Sequence, residues 1–317
     1  MSAAFVADVG GSKSRFGLAN SAGWPERIVV IENDSVSDLE TAVEGYLEQT
    51  GARPHVAVLA IAGPIQGEEI VLTNRAWRFR RPEFAARFGF SLLHIVNDFE
   101  AVAWALPRLT AAHVRALGHD APAREGVKLV LGPGTGLGVA ALIPTDGRWH
   151  VVASEGGHVS LGPSGADEDE TFARLRAECG TVSAEMVLSG PGLLRLARAL
   201  HPKRNYRHPE SIVADAQRGE PAARSVTHLF VRLLGRFAGD LALTFKAAGG
   251  VYVTGGVAHA LGPLLDDPAF RAAFEAHPPY EALLKNIPSL LITCEEPGLI
   301  GCGTLVQMRS GAAVAPA

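Results

Sequence analysis

Cysteine is scarce in this chain. Cys179, Cys294 and Cys302 are the three among 317 residues, an odd number without paired spacing. That excludes a disulfide framework and a cysteine metal site, and it points to a reducing cytoplasm. Long apolar runs are missing too. No stretch reaches the length that crosses a bilayer, and no basic segment followed by an apolar one marks a signal peptide. Positive charge is not in excess either: 29 Lys and Arg stand against 33 Asp and Glu, for a net charge of −4. A general electrostatic hold on nucleic acid or on an anionic membrane is therefore not expected. No Walker loop occurs, the glycine turn after Asp8 leads to another strand and not into a helix in the dinucleotide-binding manner, and no low-complexity linker interrupts the chain.

What is present is an ordinary globular composition, 47% hydrophobic and 20% charged. The length exceeds what one core usually serves, so two domains are expected. Apolar runs at 5–7, 16–19, 56–61, 70–72 and 92–96 read as strands, and the spacing predicts helices over 39–47, 82–88 and 99–106, the last stopped by Pro107. The pattern then restarts: a strand at 127–131, a glycine-rich turn and a strand at 139–143. Helices are predicted over 191–200 and 227–248, a strand over 251–254, and a last helix near 301–308 that could return to the first domain. The fold class is α/β. The expected domains are a smaller one, 1–108 with about 299–317, and a larger one, 109–298.

Four segments carry chemistry. Ile95-Val96-Asn97-Asp98-Phe99 is an apolar run ending in Asn-Asp, which places a carboxylate at the mouth of a buried strand, where it can take a proton from a hydroxyl. Asp98 has a second reading, as the N-cap of the helix that follows. Asp8-Val9-Gly10-Gly11-Ser12 and Gly132-Pro133-Gly134-Thr135-Gly136-Leu137-Gly138 are turns through which a backbone can approach phosphate, although each also suits a plain hairpin. Asp8 beside such a turn would repel phosphate unless a cation lies between, which suggests Mg²⁺. Ser154-Glu155-Gly156-Gly157-His158 lets a carboxylate and an imidazole converge on hydroxyls, or is a surface turn. Glu185 sits on an otherwise apolar short helix, and 249–257 reads as a strand–loop–helix corner. The acidic run 166–170 reads as a solvated helix N-terminus.

In this order the segments resemble the bacterial glucokinase family of the hexokinase–actin superfamily, from Val6 to about Leu305. The resemblance also takes in Thr73-Asn74 with Trp77, Ser183-Ala184-Glu185, 188–193 and 249–251. It implies two RNase-H-like (actin/hexokinase-type) domains flanking an interdomain cleft, and ATP-dependent phosphorylation of D-glucose. Asp98 would be the base. Asn97, Asp98, Glu155, His158 and Glu185 would bind glucose. Ala7, Asp8, Val9, Gly10, Gly11, Ser12, Gly134, Thr135, Gly136, Gly255 and Gly256 would bind ATP, with Mg²⁺ at Asp8, in a cytoplasmic homodimer. The chain departs from the family at Ser12-Lys13, where Thr-Asn is usual, at Ser154 in place of Gly, and at Gly63 where some relatives have Cys. Lys13 faces either the phosphates or solvent. Another hexose, polyphosphate as donor, or a non-catalytic sugar-sensing or actin-like protein are the alternative readings.

Overall fold

A computed structural model describes residues 3–309 apart from 64, 73, 74 and 123, so Thr73-Asn74 and the tail 310–317 lie outside the described residues. The elements in chain order begin with strands β1 (Ala4–Val9), β2 (Lys13–Ala19) and β3 (Pro25–Glu32). Helix α1 (Leu39–Thr50), β4 (Val56–Ile61), β5 (Glu69–Val71), β6 (Arg78–Arg80), α2 (Arg81–Phe88), β7 (Leu92–Asn97) and α3 (Asp98–Ala105) follow. After β8 (Val114–Ala116) come β9 (Lys128–Pro133), β10 (Leu137–Thr145) and β11 (Arg148–Ser154). Helices α4 (Ala166–Cys179), α5 (Ala184–Val187), α6 (Gly190–Leu200), α7 (Pro209–Gln217) and α8 (Pro221–Phe245) lead to β12 (Val251–Val253). The chain ends with α9 (Gly256–Leu261), α10 (Pro268–Glu275), α11 (Glu281–Lys285), β13 (Ser289–Ile292) and α12 (Pro297–Arg309).

Two units result. One holds Met1–Leu109, Pro144–Ala153 and Cys294–Ala317; the other holds Thr110–Ile143 and Ser154–Thr293. The first contains a five-stranded sheet in the order β3-β2-β1-β4-β7, with β2 antiparallel to β1 and to β3 while β1, β4 and β7 run parallel. The six-stranded sheet has the order β11-β10-β9-β12-β13-β8, with β9, β12 and β13 parallel and β10 antiparallel to β9. Strand, glycine turn, antiparallel strand, then crossovers to parallel strands: both sheets follow this order, so the restart in the sequence is a restart of the same topology. These are the two RNase-H-like units of an actin/hexokinase-type fold.

The parallel strands are continuous apolar runs because both faces are covered. Residues 57–61 of β4 are fully buried. Phe5, Phe16, Tyr46 and Phe90 form an aromatic cluster on one face of the first sheet, with ring centroids 5.5–6.0 Å apart. Helix α12 covers this sheet beside α3 and presses closely: a Cβ on Gly301 would lie 1.7 Å from the Ala101 carbonyl oxygen. In the second unit α8 supplies much of the core and crosses α10 at Gly235, where a Cβ would lie 2.0 Å from the Phe270 oxygen. The acidic run was expected to be solvated. Glu168 instead lies buried, its carboxylate held by Arg232 and Arg236 of α8 and by the Ser164 N–H. A buried carboxylate persists only when so paired.

Candidate active site

In the first unit the strand register brings the candidate residues to one edge. Asp8 on β1 pairs with Ala60 on β4, and Ile61 pairs with Asn97 on β7, so Asp8 and Asn97 stand near the carboxyl ends of parallel strands, where ligands bind in open α/β sheets. Asn97, not Asp98, caps α3: its Oδ1 accepts the N–H groups of Phe99 at 2.9 Å and Glu100 at 3.4 Å, and its Nδ2 donates to the Gly63 carbonyl at 3.2 Å. The capping alternative for Asp98 is thereby corrected. Asp98 is the first residue of the helix, with Oδ1 accepting the Phe99 N–H at 2.9 Å. Its charge acts on Asp8. Withdrawal from water, with the Asp98 carboxylate nearby, raises the Asp8 pKa to about 6, while Arg15 opposes the rise. A Cβ on Gly298 would lie 2.7 Å from Asp8 Oδ2, so glycine there leaves room beside the carboxylate.

The turn after Asp8 is tied down by a residue that sequence reasoning missed. Asn33 is fully buried and donates to the carbonyls of Gly10 at 2.8 Å and Gly11 at 3.1 Å, while accepting from the Ser14 hydroxyl at 2.7 Å. Its own N–H donates to the Ser12 carbonyl at 2.8 Å. No local signal marks Asn33; only its neighbours across the hairpin explain why an amide is buried there. Elsewhere on the segment, the Val9 carbonyl accepts the Ala62 N–H, and the Ala7 carbonyl accepts the thiol of Cys302, which burial holds well above the usual thiol range. Lys13 lies 2.7 Å from Glu32, its pairing partner on β3, with both side chains well exposed.

In the second unit Glu155, His158 and Glu185 converge. His158 Nδ1 lies 3.5 Å from Glu155 Oε2, and its Nε2 lies 3.6 Å from Glu185 Oε1. The Glu155–His158 stretch is drawn against β10, since a Cβ on Gly157 would lie 2.1 Å from the Leu137 carbonyl oxygen. It is joined to the segment before Glu185 by Ala184 N–H donating to the Val159 carbonyl and by the bridge between Ser160 and Ser183. The turn Gly134-Thr135-Gly136 closes β9 onto β10, with Gly134 N–H donating to the Gly136 carbonyl at 2.8 Å and Thr135 exposed at the tip. Gly255 packs at its base: at φ 97°, with a Cβ position 2.5 Å from the Pro133 oxygen, no other residue fits. Gly256 opens α9 beside it.

Among the described residues no group of three or more His, Cys, Asp or Glu forms a metal cage. Mg²⁺ held through one or two carboxylates, with phosphate and water filling the remaining positions, needs no such cage, and Asp8 with the space beside Gly298 fits that donor set. No helix among the described residues is long and apolar enough to cross a membrane.

Two RNase-H-like units, one presenting paired aspartates and a glycine hairpin, the other a Glu-His-Glu group beside a second glycine hairpin, form the architecture of the sugar-kinase branch of the actin/hexokinase fold. Comparison with known proteins narrows this. The crystal structure of a glucokinase from an Antarctic psychrotroph matches with a TM-score of 0.88 at 31% identity, covering 97% of this chain and 99% of that one. The chain is 39% identical over 315 residues to the glucokinase of Klebsiella pneumoniae (strain 342), covering 97% of this chain and 98% of that protein. It is 40% identical over 295 residues to the glucokinase of Chelativorans sp. (strain BNC1), covering 91% and 86%. It also spans about half the length of the "Bifunctional protein glk" of Burkholderia lata, at 40% identity. The Glucokinase family model matches residues 5–309, and the chain belongs to the Glucokinase family.

Proposed function

We infer that this chain transfers the γ-phosphoryl group of ATP to the 6-hydroxyl of D-glucose. The observation that carries the reading is Asp98 at the first position of α3, with the capping bonds made by Asn97, in a chain that matches the Glucokinase family nearly end to end. Asp98 orients the 6-hydroxyl and accepts its proton as the phosphoryl group arrives. Asn97 keeps one N–H for the sugar once its oxygen caps the helix and its other N–H meets Gly63. Glu155, His158 and Glu185 hold the remaining hydroxyls through charge-assisted hydrogen bonds. The turns at 8–12 and 134–136 direct backbone amides at the phosphates, with Thr135 adding a hydroxyl and Gly255 and Gly256 lying against the adenosine. When bound at Asp8, Mg²⁺ neutralises phosphate charge. The reaction supplies glucose 6-phosphate, the first step of glycolysis, in the cytoplasm; three free cysteines support that compartment. A homodimer is proposed with it, and Ile28 and Val30, exposed on the edge strand β3, offer apolar area for one.

The test is glucose-dependent ADP release by wild type beside Asp98→Asn, with a panel of hexoses and with polyphosphate replacing ATP. The variant keeps the shape and loses the base, so kcat falls by roughly 10²–10⁴. Near-normal turnover by the variant rejects the role of Asp98. A second hexose or polyphosphate outpacing glucose with ATP rejects the substrate assignment.

A further inference from the structure

Glu185 does more than face the sugar set. Its Oε2 accepts the backbone N–H of Leu137 at 2.8 Å, and Leu137 is the residue that leaves the Gly134-Thr135-Gly136 turn. The other oxygen, Oε1, is the one near His158. One carboxylate therefore touches both the group assigned to the hexose and the turn assigned to phosphate. The glycine at 136 belongs to this contact. It does not adopt a left-handed φ, so the turn itself does not demand glycine. A Cβ there would stand 2.6 Å from the same Glu185 Oε2. Gly157 leaves room for the Leu137 carbonyl, and the Gly134 carbonyl accepts the Gly190 N–H at 2.8 Å. The turn is thus gripped by the very segments that carry His158 and Glu185.

We propose that Glu185 couples hexose binding to nucleotide binding, and that Gly136 is a positioning residue for glucose rather than only a phosphate glycine. A sugar hydroxyl on Oε1 fixes the carboxylate, which fixes the Leu137 amide and with it the turn, before nucleotide arrives. The ordering cost of the turn is then met once for both ligands, and each tightens the other by the same factor. The proposal rests on the sugar and phosphate roles given above.

The experiment is titration calorimetry with D-glucose and with a non-hydrolysable ATP analogue, each alone and with the other saturating. If wild type takes up no glucose, the sugar-kinase reading fails on its own account. With glucose bound, wild type shows reciprocal tightening of roughly tenfold. Gly136→Ala adds a methyl to the phosphate turn, yet raises the glucose Kd in the absence of nucleotide by roughly tenfold and removes the tightening. Unchanged nucleotide-free glucose binding, with only the ATP analogue weakened, overturns the proposal. In a Glu185→Asp background the shortened carboxylate has withdrawn from residue 136, so Gly136→Ala adds no further loss of glucose binding; additive losses overturn it. A measurement on wild type removes any question of misfolded variants: glucose alone slows amide hydrogen exchange in peptides spanning 134–142, and unaltered exchange there overturns the coupling.

Discussion

The Asp8 carboxyl is a residue whose environment sets its chemistry. Its native pKa is about 6, against 3.8 for the unperturbed group, because it is withdrawn from water and faces Asp98. The folded chain therefore holds that proton more tightly than the unfolded chain. The stability contributed by Asp8 is fully present below about pH 4 and is lost as pH rises through about 6. Asp8→Asn should melt higher than wild type at pH 7–8, with the difference closing below about pH 4; a gap that does not change with pH would exclude this assignment. Activity runs the other way. The ionised carboxylate is the form that suits a cation, so kcat/KM for ATP should fall as pH drops below about 6. Asn33 makes a separate prediction. Removing its side chain strands the Gly10 and Gly11 carbonyls and the Ser14 hydroxyl. Asn33→Ala should cost about 1–3 kcal/mol in denaturant unfolding and raise KM for ATP more than KM for glucose.

At the scale of elements, close crossings depend on missing side chains. Helix α12 lies on α3 with the Gly301 Cβ position only 1.7 Å from a carbonyl oxygen. Gly301→Ala must push the two helices apart, and should destabilise by about 1–3 kcal/mol or more. Gly45 in α1 is the control, exposed and with nothing within 4 Å of a Cβ. Gly45→Ala should stabilise by about 0.5–1 kcal/mol, because alanine loses less backbone freedom in a helix. If the two substitutions moved the thermal midpoint in the same direction, the packing account of Gly301 would fail. The elements themselves divide by how visible they are in the chain. The strands β1, β4 and β7 announce themselves as apolar runs, and α6 opens with proline in its first turn. Strand β3 holds the apolar run 28–31 and β11 the shorter Val151-Val152, yet both are largely wetted, so burial does not follow from the run alone. The helices α7, α10 and α11 are short and were not predicted; their apolar positions gain meaning only from what they cover.

For the molecule as a whole, glucose at about 100 times its Kd should add about 2.7 kcal/mol of stability through mass action, read as a rise in the thermal midpoint. 6-Deoxyglucose keeps the hydroxyls assigned to Glu155, His158 and Glu185 but has no proton for Asp98. It should raise the midpoint too while releasing no sugar-dependent ADP; turnover with it would exclude Asp98 as the base. The repeated strand–glycine turn–strand order was readable because backbone freedom and apolar runs are local properties of the chain, and the joint set of motifs from Asp8 to Gly256 carried the family with it. What each polar group meets was not local. Glu185 reaches an amide 48 residues away, Asn33 holds a turn 22–23 residues before it, and the Cys302 thiol closes on a carbonyl 295 residues away. Hydrogen bonding, desolvation and steric room depend on such distant neighbours. They decided that Asn97 rather than Asp98 caps α3, that Glu168 is buried, and that Gly136 makes way for a carboxylate.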